Sequence, residues 1–199
     1  MRVFFFGGRD QARLNQAILH DQGHSIPYVF DADPALSVPW DCITFSQSDW
    51  IDDYARKCDG FVVCVASEGR GRFRVEMSRR LEALGLEPVS VIHPQTFIGK
   101  NVRLGKGLQT YPMASIHDGT AVGDYCIVGL NAAIDHDCII GDGVLVMNSA
   151  AIIGNCTIGE YAVIGINATV LPHTVIDSDA DVRAGSVVGQ NLPGRPQES

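Results

Sequence analysis

The tripeptide Asp135-His136-Asp137 sets an imidazole between two carboxylates, the grouping in this chain best suited to moving a proton. Nearby carboxylates raise a histidine pKa. One that accepts from a ring N–H also fixes the tautomer and leaves the other nitrogen to take a proton from an attacking amine or hydroxyl. From the residues alone a solvated surface histidine is the plainer reading, as it is for His117 and His173. Gly7-Gly8, directly after the apolar run Val3 to Phe6, could cradle a phosphate or form an ordinary turn. Arg70, Arg72 and Arg74 could meet a diphosphate, or could be the solvated start of a helix. The six histidines show no HExxH spacing and the six cysteines no CxxC pair, so no metal site is expected. Reduced thiols in a cytoplasmic protein are expected instead.

Composition narrows the partners. The 199 residues carry 15 Lys plus Arg against 23 Asp plus Glu, a formal charge of −8, which argues against nucleic acid or an anionic membrane as ligand. Four apolar residues before Gly7 are too few for a signal peptide, and no run approaches a membrane span.

The position of His136 follows from a repeat. Counting in sixes from Ile92 gives sixteen consecutive hexapeptides, and fifteen of their first positions are Ile, Leu or Val, Thr110 being the exception. The third position holds only two such residues and the fourth none. Fifth positions are nearly all small (Ala114, Cys126, Ala132, Cys138, Ala150, Cys156), and ten of the sixteen fourth positions are Gly, Asn or Asp, types that tolerate φ > 0. Large first and small fifth positions therefore point inward, the chain turns a corner between them, and three sides close an 18-residue coil. This is the hexapeptide parallel β-helix. His136 and Asp137 fall at a corner and project outward, with Asp118 one coil before and Gly154 one coil after the histidine. Cys138 and Cys156 stack at inward positions about 4.8 Å apart, close enough for a disulfide but better read as interior fillers.

Residues 1–91 alternate differently. Strands at Val3–Phe6, Tyr28–Phe30, Phe61–Val65 and Pro88–Ile92, with helices at Asp10–Gln22 and Arg72–Leu84, predict a small Rossmann-like parallel sheet. The apolar stripe of the second helix is Val75, Met77, Leu81 and Leu84. The stretch 34–58 shows no period. The expected organisation is an α/β domain over 1–91, a β-helix over 92–188 and a tail over 189–199.

The run Ile134-Asp135-His136-Asp137-Cys138-Ile139-Ile140-Gly141-Asp142 resembles the I-[ED]-H-[DE]-C-x-I-G-[DE] signature of the hexapeptide-repeat nucleotide-sugar N-acetyltransferases and sialic acid O-acetyltransferase-like proteins. Ile92-His93-Pro94, Gly154-Asn155, Ala184-Gly185-Ser186-Val187-Val188 and the Phe30-Asp31 strand end match as well. The resemblance implies a homotrimer of left-handed β-helices, with acetyl-CoA in the groove between subunits and no metal. It implies His136 as general base, Asp137 holding its ring, and the Gly154 amide stabilising the oxyanion. Ile166 and Ala184 would line the CoA groove. A nucleotide sugar of the UDP-4-amino-sugar type would be held by Gly7, Gly8, Asp10, Gln11, Asp31 and Ala66.

Four features depart from that family. Leu145 stands where many members have a histidine contacting the acyl group, and Gly7-Gly8-Arg9-Asp10-Gln11 lacks the usual histidine and later glycines. Ala66-Ser67-Glu68 replaces a Gly-Asn, and the tail Asn191–Pro196 is short. O-acetylation of a sialic acid or another sugar and a non-catalytic trimeric scaffold are the alternative functions. A metal-dependent lyase would need three converging histidines, which His117, His136 and His173 do not supply.

Overall fold

The computed structural model describes residues 1–67 and 69–189, so Glu68 and the tail from 190 onward, Asn191–Pro196 included, lie outside the described residues. The chain divides into two compact units. One comprises Met1–Ala66 and Glu76–Val91, the other Ser67–Val75 and the chain from Ile92 onward.

The first unit is built on five strands: β1 (Arg2–Phe6), β2 (Ser25–Phe30), β3 (Ile43–Phe45), β4 (Gly60–Val63) and β5 (Glu87–Pro88). They pair in the order β3-β2-β1-β4-β5, all parallel. Central β1 buries every residue from Val3 to Phe6, the continuous apolar run of a parallel strand covered on both faces. Helix α1 (Asp10–Asp21) connects β1 to β2, and α3 (Gly71–Ala83) lies between β4 and β5 in the chain. Because β1 pairs with both β2 and β4, the strand order reverses there, and the carboxyl ends of these strands are where such sheets open a ligand crevice. The unperiodic stretch holds β3, a 3-10 turn (Ser48–Trp50) and α2 (Ile51–Ala55), elements too short to set a period.

The strand expected over Pro88–Ile92 is two strands. β5 ends at Pro88 as an edge of the first sheet, where a residue without an N–H is tolerated, and β6 (Val91–Ile92) joins a different sheet.

From β6 to β22 (Val187–Val188) two-residue strands recur every six residues in three parallel sheets of six, five and six strands. Strands 18 residues apart pair in register, as in Ile116↔Ile134↔Ile152. All fifteen fourth positions from Asn101 to Gly185 have φ between 54° and 77°. The corner is therefore set by backbone geometry even at Met113, Tyr125, Ser149, Tyr161 and His173, where the side chain opposes it at roughly 1–2 kcal/mol each. First positions from Thr110 to Val182 are buried, Thr110 with its hydroxyl 2.8 Å from that of Thr96. Ile92, Ile98 and Leu104 are not buried, for the first coil has a stacking neighbour within the β-helix on one side only.

All six cysteines are free. Cys126, Cys138 and Cys156 fill the interior and donate to the carbonyls of Gly141 (3.1 Å), Ile153 (3.4 Å) and Leu171 (3.1 Å), as Thr120 does to Asp135 (2.7 Å). These four inward side chains each satisfy a carbonyl fifteen positions later. Burial pushes the Cys126 thiol up to about 12 and that of Cys138 to about 11, so neither is a nucleophile.

Candidate active site

β13 (Ala133–Ile134) and β14 (Ile139–Ile140) meet at the corner that carries His136 and Asp137. Both neighbouring coils pin its backbone: the Asp137 amide donates to the Asp118 carbonyl (3.0 Å), and the Asn155 amide donates to that of His136 (3.0 Å). Asp137 sits at φ 56°, which turns its carboxylate toward the histidine, and Nδ1 lies 2.9 Å from Oδ2. The ring is solvent-exposed. Its pKa is raised, first by the hydrogen bond to Asp137 and then by the charge of Asp135. A carboxylate only accepts, so Asp137 fixes the proton on Nδ1 and leaves Nε2 with its lone pair.

Two glycines make room for the pair. A Cβ on Gly154 would lie 2.6 Å from His136 Nε2, and one on Gly119 would collide with the Asp137 carboxylate. The ring therefore rests against bare backbone. At three other corners the third-position amide donates to a side chain one coil on: Lys106 to Asp124 (2.9 Å), Asp124 to Asp142 (2.8 Å) and Leu130 to Asn148 (3.0 Å). The residue one coil beyond Gly154 is Pro172, and among the described residues the Gly154 amide has no hydrogen-bond partner. The base nitrogen thus sits against the backbone of Gly154, whose N–H is unpaired among the described residues.

Ile166 and Ala184 are exposed third-position residues stacked one coil apart, with the Gly185 amide donating to the Ile166 carbonyl (2.8 Å). They occupy a different corner column from His136, so one chain does not bring them to the histidine. Leu145 is buried in β15 (Leu145–Val146), on the sheet to which neither β13 nor β14 belongs.

In the first unit, Gly7 has φ 95° and a Cβ there would lie 2.9 Å from the Cys64 carbonyl, while one on Gly8 would strike the Leu36 side chain. Close packing alone accounts for both glycines. The Gly8 amide donates to Asp31 Oδ2 (2.9 Å), which ties the loop after β1 to the end of β2. Asp31 is buried, Asp10 opens α1 exposed, and Gln11 and Ala66 are half-buried.

The arginines divide. Arg74 is fully buried, its Nε donating to the Tyr125 carbonyl (2.8 Å) and one terminal nitrogen to that of Gly143 (2.7 Å). It is neither a diphosphate contact nor a solvated helix start, and it takes its place in the buried face of α3 with Val75, Ser78 and Leu81; Met77 and Leu84, expected in that stripe, are only half-buried. Desolvation lowers its pKa to about 10, so it stays charged. A run of alternating arginines carries no sign of which one is buried. Arg72 pairs with Asp179 at 2.8 Å and lies over the Tyr161 ring.

The bacterial transferase hexapeptide family (six repeats) matches residues 137–165 and 155–190. The chain is 27% identical over 136 residues to a GDP-perosamine N-acetyltransferase of Escherichia coli O157:H7, a match covering 68% of this chain and 52% of that protein. The chain thus spans about half the length of that curated relative. A histidine-to-asparagine variant of perosamine N-acetyltransferase from Caulobacter crescentus, solved with CoA and GDP-perosamine, is 27% identical with TM-score 0.89, over 98% of this chain and 91% of that one. The acetyltransferase domain of PglB from Neisseria gonorrhoeae shares the fold at TM-score 0.86 and 23% identity, over 96% of this chain and 93% of that one. No described helix is long and apolar enough to cross a membrane.

Proposed function

We infer that this chain, a member of the hexapeptide-repeat proteins whose relatives are nucleotide-sugar N-acetyltransferases, transfers an acetyl group from acetyl-CoA to the amino group of a nucleotide-linked amino sugar. The observation that carries this reading is the exposed His136 ring, held through Nδ1 at 2.9 Å by Asp137, with Nε2 against the backbone of Gly154. The sugar amine attacks the thioester carbonyl carbon and forms the C–N bond. His136 Nε2 takes the amine proton, and Gly154 N–H donates to the oxyanion. Collapse of the tetrahedral intermediate breaks the C–S bond, and the CoA thiolate leaves, to be protonated by the imidazolium. Direct attack suits the site, because the adjacent thiol of Cys138 is buried and protonated.

The fold we assign is a left-handed β-helix preceded by a Rossmann-like domain, in a cytoplasmic homotrimer. Ile166 and Ala184 lie on a corner that His136 does not share, so a CoA groove containing all three needs two chains, which favours an active site between subunits. The nucleotide sugar is held through Gly7, Gly8, Asp10, Gln11, Asp31 and Ala66. The carboxyl-edge position of these residues and the bond from Gly8 to Asp31 support that assignment. His136→Asn is the test. Acetyl transfer should fall by roughly 10²–10⁴ with the melting temperature unchanged; activity within a few-fold of wild type removes His136 from the mechanism.

A further inference from the structure

His136, Gly154 and Pro172 stand in one corner column, each 18 residues after the last. Gly154 is the one glycine among the sixteen third positions. Where Lys106, Asp124 and Leu130 hold the same place, an oxygen of the side chain one coil on accepts from the corner amide, supplied by Asp124, Asp142 and Asn148 in turn. Pro172 carries no such oxygen. The Gly154 carbonyl is satisfied by the His173 amide at 3.2 Å, but its N–H has no partner among the described residues, although Gly154 is buried. Buried backbone N–H groups are nearly always paired, so one left open is a donor held for an acceptor from outside the chain.

The corner itself does not demand proline. His173, which follows Pro172, has φ 58°, and a turn with positive φ at its second central residue accepts proline at the first. Asp142 and Asn148 fill that first place just as well, ahead of Gly143 at φ 65° and Ser149 at φ 59°. Pro172 is exposed, so it is not kept there by the core. An asparagine at 172 would therefore fit the coil, and it would bring an oxygen to the Gly154 amide as Asn148 brings one to that of Leu130. What sets Pro172 apart from Asn148 is the acceptor it withholds.

We propose that Pro172 is a positioning residue for acetyl transfer: by offering no acceptor, it keeps the Gly154 N–H open for the oxyanion of the tetrahedral intermediate. The proposal rests on the reading above, in which that N–H stabilises the oxyanion, and Pro172 acts through Gly154 without touching the reacting atoms. An amide already engaged by a side chain must give up or share that bond when negative charge develops on the thioester oxygen. The loss falls on the transition state, where the oxyanion is formed, and not on the bound acetyl-CoA, so it lowers kcat and leaves KM in place.

The experiment compares Pro172→Asn with Pro172→Leu in the full-length protein. The two side chains match in shape, but only asparagine carries an acceptor. Hydrogen exchange at the Gly154 amide, followed by NMR of glycine-labelled protein, should be about tenfold or more slower in Pro172→Asn than in Pro172→Leu. The kcat for acetyl transfer should be about tenfold or more lower in Pro172→Asn than in Pro172→Leu, with KM for acetyl-CoA alike in the two. Equal exchange in the two variants overturns the proposal, as does slowed exchange with equal kcat. A difference confined to KM also overturns it, since the new side chain would then obstruct acetyl-CoA. Exchange is read without substrate, so slowed exchange in Pro172→Asn of a protein that acetylates no amino sugar rejects the reaction and leaves the open amide standing.

Discussion

The two units of this chain set functional residues by different rules. In the β-helix a residue's place modulo six decides whether it faces the interior, lies on a sheet or stands at a corner, and adding 18 finds its neighbour in the next coil. His136, Asp137 and Gly154 converge because arithmetic brings them together. In the five-stranded sheet the candidate residues stand on separate segments that follow β1, β2 and β4, and these segments share no period. A repeat makes a site legible by counting; a sheet edge needs the strand order before any two loops can be placed side by side.

The sharpest challenge to this contrast is Arg74, a residue outside the repeat that belongs to the second unit and donates to two of its corner carbonyls. Arg74→Leu keeps much of the volume but leaves the Tyr125 and Gly143 carbonyls without this donor, and should cost about 3 kcal/mol. In a chain of this size that corresponds to a melting temperature lower by roughly 10 °C in calorimetry. A change below about 2 °C would mean that the repeat alone sets the stability of its unit.

A smaller effect tests the counting rule itself. Met113 is 62% exposed and holds φ 62°, a conformation its side chain disfavours. Met113→Asn should stabilise by up to about 1 kcal/mol in denaturant unfolding, because asparagine tolerates the left-handed region. Destabilisation would show that Met113 supports the coil through contacts the repeat does not describe.

The sequence therefore disclosed the two units unequally. The spacing of Ile, Leu and Val at first positions and of small residues at fifth positions was enough to stack the coils, and it put His136 on a corner with Asp137. It could not tell that Met113, Tyr125 and His173 would adopt the same corner geometry as the glycines, since backbone closure imposes φ regardless of residue type. In the first unit the strands of Val3–Phe6 and Phe61–Val63 were legible as apolar runs. β3 is three residues long and its only buried member is Phe45, so it left no trace in hydrophobic period. Arg74 was unreadable for a related reason: its partners are carbonyls 51 and 69 residues away.

The central claim is that His136 is a base whose proton affinity is set by Asp137. The hydrogen bond to Asp137 and the charge of Asp135 raise the imidazole pKa above 6.5. Linkage follows the same direction: the pairing adds stability below pH 6.5 and loses it as pH rises through the folded-state pKa. Catalysis runs oppositely, because Nε2 must be unprotonated to accept the amine proton. The most direct measurement is the pH dependence of kcat/KM for acetyl transfer in the wild type and in Asp137→Asn, with the same amine substrate so that its own titration cancels. The wild-type rate should rise through an apparent pKa above 6.5, and Asp137→Asn should move that acid limb to lower pH while lowering the plateau. An acid limb that stays in place when Asp137 is replaced would contradict the account.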